Sequence, residues 1–244
     1  VVVVGEGLAE TRLSTPKRLR LINAETLHAY SPSISPPSRE YEKEMPVVGA
    51  INMPDALRAR LGEDQRDASL VQWLAAGSPP VFFGMGSMPV EDPLAMLKMI
   101  AQIVKALNVR AIVGAGWSKF TGADEFGPNL KIVGAVDHAW LFPQCKAAVH
   151  HGGAGTVHAV VGAGLPSLVA SVFADQPYWG TQLTRLGAGQ HVPFARLNRR
   201  SLESGLAAVL DPTCVERAAE LGQRVRAEPD AASIIADRVE AMVN

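Results

Sequence analysis

The run His150-His151-Gly152-Gly153-Ala154-Gly155-Thr156 constrains what this chain can fold into more than any other stretch. An apolar segment, Lys146 to Val149, leads into it, and Val157-His158-Ala159-Val160-Val161 comes after it. The order therefore reads strand, glycine-rich turn, helix start. Such a turn has two uses. Glycines can simply let a strand pass tightly into a helix, with no ligand involved. Alternatively, backbone N–H groups unobstructed by side chains close on phosphate oxygens while the helix dipole favours the negative charge, which makes phosphate or diphosphate the expected ligand.

The next residues along the chain favour the second use. Gly164-Leu165-Pro166 ends the short helix, because Gly suits a C-terminal cap and Pro cannot continue a helix. A second buried-strand pattern, Ser167 to Phe173, runs into Ala174-Asp175-Gln176-Pro177-Tyr178-Trp179. A carboxylate and an amide thus stand at the carboxyl end of a strand next to the turn, where open α/β sheets bind ligands, and their acceptors and donors suit sugar hydroxyls. Asp175, two residues before Pro177, is equally suited to sit at the start of the next helix as a cap or dipole partner, and the two roles can coexist.

Elsewhere apolar strands alternate with helical stretches: Val81 to Phe83, then Pro93 to Leu107, Ala111 to Val113, Lys131 to Val133, and Val149 with its turn. This alternation predicts a Rossmann-like α/β fold, a parallel sheet with helices on both faces. Met96, Leu97, Ile100, Ile103, Val104 and Leu107 recur at helical spacing and read as a core-facing stripe. Residues 31–46 concentrate Pro, Ser and charge without a period and read as a linker. With 48% hydrophobic residues in 244, a normal buried core is expected. The formal charge of −1 and scattered basic residues suggest no nucleic-acid surface. No apolar run approaches the roughly 18 to 20 residues of a membrane span. Cys145 and Cys214 lie far apart, outside metal-ligand spacing, which suits free thiols and a cytoplasmic setting.

His-His-Gly-Gly-Ala-Gly-Thr followed by Asp-Gln-Pro-Tyr-Trp resembles the donor-binding signature of the nucleotide-sugar glycosyltransferases that modify sterols and antibiotic aglycones, within the UDP-glycosyltransferase superfamily. Gly84-Met85-Gly86-Ser87-Met88 after Val81-Phe82-Phe83 resembles that family's first strand and turn of the same domain. Val136-Asp137-His138-Ala139-Trp140-Leu141-Phe142-Pro143 resembles its base-binding segment. The resemblance runs from about Leu27 to the C-terminus. It implies the C-terminal, donor-binding half of a two-domain GT-B fold, with residues 1–30 a remnant of the N-terminal acceptor domain, 31–46 the interdomain linker and 47–244 the nucleotide-sugar-binding domain. The N-terminal domain would be largely missing.

The resemblance also implies roles. His151, Gly153, Gly155 and Thr156 would hold the donor diphosphate, with Ser87 as a second phosphate contact. Asp175 and Gln176 would hold the transferred hexose, while Val136, through its backbone, and His138 would meet the nucleobase. No Asp-x-Asp pair occurs, so the expected chemistry is metal-free, with amides, a hydroxyl and an imidazole stabilising the departing diphosphate. No cofactor is expected beyond the UDP- or dTDP-sugar itself. A ribose-binding Glu of plant relatives falls at Ala159, which leaves both nucleotides open. The acceptor's base would belong to the missing domain, so no residue of this chain is expected to be catalytic in that sense; the acceptor is expected to be a lipophilic small molecule.

His150 should face away from His151 by strand alternation and serve as a packed core residue, and a zinc set of His150, His151 and His158 fits poorly. Trp140 reads as core, while Trp117 either lines the donor site or packs on the sheet. A dehydrogenase fits poorly because each Gly-x-Gly lacks the third glycine. A sugar-nucleotide epimerase and a binding module without chemistry remain as alternatives.

Overall fold

The computed structural model describes residues 26–38, 45–61, 66–86, 88, 90–116, 120 and 126–243. Among them, six strands form one parallel sheet: β1 (Val81–Gly84), β2 (Ala111–Gly114), β3 (Leu130–Val133), β4 (Ala147–His150), β5 (Ser167–Ser171) and β6 (Gly189–Pro193). Their order is β3-β2-β1-β4-β5-β6, and every neighbouring pair is parallel. Before the sheet come α1 (Asp55–Arg60) and α2 (Ala68–Ala75). Between and after the strands lie α3 (Pro93–Ala106), α4 (His138–Leu141), α5 (Ala154–Gly162), α6 (Gln176–Arg185), α7 (Arg199–Val209), α8 (Pro212–Arg226) and α9 (Ala231–Val243).

Strand alternation sorts the core into two layers. Val81, Phe83, Ala111, Val113, Ala147, Val149, Leu168 and Ala170 pack against α3 and α7. Phe82, Ile112 and Ala148 meet α2, α4 and α5, and Val169 meets α5, α6 and α8. Helices therefore cover both faces, and a sheet buried on both faces explains the continuous apolar runs of β1, β2 and Ala147 to Val149. The stripe on α3 is realised, with Met96, Leu97, Ile100, Ile103 and Val104 buried. Asp92 starts that helix by accepting from the Ala95 N–H at 2.8 Å, with Pro93 in its first turn.

Four features depart from or extend the expectation. The fifth strand stops at Ser171, because the N–H groups of Val172 and Phe173 turn inward to the Gln176 amide oxygen at 2.8 and 3.2 Å instead of continuing the ladder. Strand β6 and helices α7 to α9 complete the domain. Trp140 is only half-buried, with the Arg66 guanidinium 5.3 Å above its ring, so it flanks the core rather than filling it. Finally, Ser31–Ser35, within the stretch read as a linker, is packed: Ile34 is fully buried among Val157, Val161, Trp179 and Leu183.

Helices α5 and α8 meet at a glycine. A methyl group on Gly222 would stand 2.7 Å from both Gly164 Cα and the Val161 carbonyl oxygen, whereas one on Gly162 would meet nothing within 4 Å. Replacing glycine by alanine inside a helix ordinarily stabilises by up to about 1 kcal/mol. Gly162→Ala should do so, and Gly222→Ala should instead destabilise by about 1–3 kcal/mol because the two backbones must part. Urea midpoints of the two variants, compared with the unmutated chain, should therefore move in opposite directions.

Candidate functional site

In the strand order β2-β1-β4, connections leave β1 in one direction and arrive at β4 from the other, so β1 and β4 flank the topological switch point. The turns at the carboxyl ends of these three neighbouring strands carry Gly116, Gly86 and Gly153. They are stacked. A methyl group on Gly116 would lie 2.2 Å from the Gly86 carbonyl oxygen. One on Gly86 would lie 2.7 Å from His151 Cε1, and one on Gly153 would lie 2.5 Å from His151 Nε2. The His151 imidazole is therefore held between two glycine turns, at the mouth of α5. Gly86 and Gly116 also adopt φ of +57° and +52°, which favours glycine independently of space.

Gly153 is the N-cap of α5, and Ala154, Gly155 and Thr156 form its first turn. Their N–H groups are the amides that a helix start leaves without intrahelical partners. A methyl group on Gly155 would meet nothing within 4 Å, so the mouth is open there. A cavity of 360 Å³ adjoins it, lined by Phe82, Gly84, Gly86, Val136, His138 and Thr156 among others. A larger one of 860 Å³ continues past Val136 and His138 along α5 to Ala159 and Gly162. The structure thus brings Thr156, Val136 and His138 to one cavity, with His151, Gly153 and Gly155 at its edge. Ser87 and Trp117 lie outside the described residues.

The two adjacent histidines differ sharply. His150 is fully buried on the Ala148 face of β4; its Nδ1 accepts the Gly152 N–H at 3.1 Å, which leaves the proton on Nε2 without a partner. Burial, with His151 and His138 nearby, pushes its pKa down to about 3. His151 is half-buried and its Nδ1 makes no hydrogen bond. Burial lowers its pKa, opposed by the Gly84 carbonyl, close but outside hydrogen-bond geometry, and by the Asp175 carboxylate. Burial also lowers the pKa of His138, which stacks on Phe142 at 4.6 Å. His158 uses both ring nitrogens, accepting the Ser31 N–H at 3.0 Å and donating to the Ala154 carbonyl at 2.7 Å. Among the described residues, no group of three or more His, Cys, Asp or Glu is arranged to hold a metal ion.

Asp175 and Gln176 begin α6 beside this mouth. Asp175 occupies the N-cap position, yet its side chain caps nothing and instead accepts the Trp179 indole N–H at 2.7 Å. The Gln176 amide oxygen is committed to Val172 and Phe173, so its NH₂ group is the part that can meet a ligand.

The sequence pattern of the erythromycin biosynthesis protein CIII-like C-terminal domains matches residues 98–242. The chain belongs to this family. It is 34% identical over 235 residues to the uncharacterized glycosyltransferase Rv1524 of Mycobacterium tuberculosis, covering 96% of this chain and 55% of that protein. It is 31% identical over 209 residues to the sterol 3-beta-glucosyltransferase UGT80A2 of Arabidopsis thaliana, covering 85% of this chain and 32% of the relative. The chain thus spans about half the length of the bacterial relative and about a third of the plant one. Among solved structures, the glycotransferase of kitacinnamycin superposes with a TM-score of 0.70 at 22% identity, over 89% of this chain and 55% of that one. Glycosyltransferase VinC in complex with dTDP gives 0.61 at 21%, over 88% and 51%. The fold is that of a GT-B glycosyltransferase C-terminal domain, and the family is one of transferases.

Sequence reading of this family member missed Gly116 and Trp179 as parts of the site. The signal for Gly116 was present: Gly-x-Gly recurs at Gly84/Gly86, Gly114/Gly116 and Gly153/Gly155, each near a strand end, and adjacency of those strands makes the turns meet. Trp179 stands within the Asp-Gln-Pro-Tyr-Trp stretch, one helical turn after Asp175, but only the folded helix shows its indole N–H on that carboxylate.

The depressed pKa of His150 has a stability consequence. The unfolded chain binds a proton near pH 6.5 that the native state refuses until about pH 3. The contribution of this group is therefore complete above the unfolded value and is lost as pH falls from about 6.5 toward 3. His150→Gln, which can still accept the Gly152 N–H, should reduce the acid slope of unfolding free energy by up to about 1.4 kcal/mol per pH unit in that window. Urea titrations between pH 7 and 4 measure this; identical slopes in the two proteins would contradict it.

Proposed function

We propose that this chain supplies the donor-binding half of an inverting, metal-independent glycosyltransferase that moves a hexose from a UDP- or dTDP-sugar to a hydroxyl of a lipophilic acceptor. One observation carries the reading: an imidazole, a helix mouth with free amides and a hydroxyl converge at the switch point of a parallel sheet, beside a 360 Å³ cavity lined by Val136, His138 and Thr156. Dipoles aimed where charge develops lower the barrier to bond cleavage without a cation. The Gly153, Ala154, Gly155 and Thr156 amides, the Thr156 hydroxyl and His151 would take the departing diphosphate. The nucleobase would lie against Val136 and His138, with Ser87 as a further phosphate contact from the first turn.

Asp175 and the Gln176 NH₂ group would hold the hexose so that its anomeric carbon faces the attacking hydroxyl. Deprotonation of that hydroxyl has no owner among the residues of this site, and we assign it to the N-terminal half of the GT-B architecture. The dTDP seen with VinC supports the donor class, and the sterol glucosyltransferase among the relatives supports an apolar acceptor. Two free, buried cysteines support a cytoplasmic setting.

His151 has a lowered pKa in the unliganded protein, so it is largely neutral at pH 7, and a diphosphate beside it should raise that pKa. Binding of UDP or dTDP should therefore take up protons. Calorimetry in buffers of different ionisation enthalpy reads this directly. His151→Ala should abolish the uptake and weaken binding by about tenfold or more. Nucleotide affinity unchanged by His151→Ala would refute the site, and robust sugar transfer by the 244-residue chain alone would refute the division of labour.

A further inference from the structure

Asp175 sits where an aspartate ordinarily caps its own helix, and it does not do so. The residue before it, Ala174, has φ of +56°, an unfavourable region for a residue with a side chain. The turn is held in this form by two internal staples. Gln176 Oε1 gathers the N–H groups of Val172 and Phe173 from below, and the Trp179 indole N–H takes one carboxylate oxygen of Asp175 from the next turn of α6. That leaves the other carboxylate oxygen, Oδ1, for a ligand.

The indole is itself fixed. Trp179 is buried, and three rings stand edge-on to it: His158 at 5.3 Å, Tyr178 at 5.2 Å and Tyr30 at 5.8 Å. Ile34 belongs to the same buried cluster. Tyr30 and Ile34 come from the segment that precedes the domain, and this strap is anchored by Ser31: its N–H donates to His158 Nε2 at 3.0 Å and its hydroxyl to Glu228 at 2.6 Å. His158 passes the anchor on to the Ala154 carbonyl in the first turn of α5. One buried tryptophan thus connects the strap to the carboxylate at the site.

We propose that Trp179 is a positioning residue for Asp175: its indole N–H aims the carboxylate that receives the sugar, and the strap Tyr30–Ile34 holds the indole in place. This inference rests on the reading of Asp175 as a sugar-holding residue. A ring that only packed would be satisfied by phenylalanine, whereas a ring that aims a carboxylate needs its N–H.

The test is a double-mutant cycle on the 244-residue chain, with Trp179→Phe, Asp175→Ala and the pair, titrated calorimetrically with UDP, UDP-glucose, dTDP and dTDP-glucose. Trp179→Phe should leave nucleoside diphosphate affinity within about twofold and shift the ratio of sugar-nucleotide to nucleotide affinity by about tenfold against the sugar, the scale of one charge-assisted hydrogen bond. Asp175→Ala should shift the same ratio, and the double variant should add nothing. A ratio that falls with Asp175→Ala but not with Trp179→Phe, or two effects that simply add, overturns the positioning role alone. A ratio untouched by Asp175→Ala, or an unmutated chain that binds none of the four ligands, overturns the donor-site reading and this inference with it. Retention of nucleoside diphosphate affinity in each variant separates these outcomes from misfolding.

Discussion

The close approach of three turns at the ends of β2, β1 and β4 is the constraint on which the site depends. Parallel strands lie about 4.8 Å apart, so the loops leaving their carboxyl ends compete for the same space. Gly116 against the Gly86 carbonyl, and Gly86 and Gly153 against neighbouring atoms of the His151 ring, leave no room for a Cβ at any of the three. Removing side chains from the turns lets one imidazole enter and puts bare backbone around it. The mouth of α5 stays accessible as well, since a side chain at Gly155 in its first turn would meet nothing within 4 Å.

That packing also sets the electrostatics. The imidazoles near the mouth are desolvated, and burial is the leading cause of the lowered pKa at His138, His150, His151 and His158. Near neutral pH the site is therefore built mainly from dipoles: helix-end amides, a hydroxyl and neutral rings. Dipoles held by the fold need little reorganisation when charge appears on a ligand, and their effect grows as water is excluded. Asp175 contributes an anionic charge, and its influence on His151 favours the protonated ring that an anionic ligand would also favour.

Much of the architecture was legible in the sequence because a parallel sheet covered on both faces needs strands that are apolar at every position, separated by helical stripes. The strands at Val81 and Ala111, the Ala147–Val149 stretch and the stripe on α3 obey that rule, while the edge strand at Leu130 admits Lys131. The rule weakens where tertiary contacts decide. Ser167 to Phe173 reads as one buried-strand pattern, yet Gln176 captures the last two N–H groups and ends the strand at Ser171. Gly189–Pro193, an edge strand that includes Gln190 and His191, has no apolar run to announce it. Arg110, polar in sequence, is buried as a clasp: it donates to the Trp73, Leu74 and Ser78 carbonyls with its guanidinium 3.6 Å from the Trp73 ring.

Sequence alone determined the class of fold and the order strand-turn-helix at His150–Thr156, because periodicity and glycine placement are local properties of the chain. Only the tertiary structure decided how those residues are aimed. The wedging of His151 between Gly86 and Gly153, the diversion of Asp175 from its own helix to Trp179, and the seating of Ile34 against that tryptophan each join positions far apart or differently committed in the chain. They arise from packing at close range, where a few tenths of an ångström determine whether a Cβ fits or a hydrogen bond forms, and no local pattern encodes that distance.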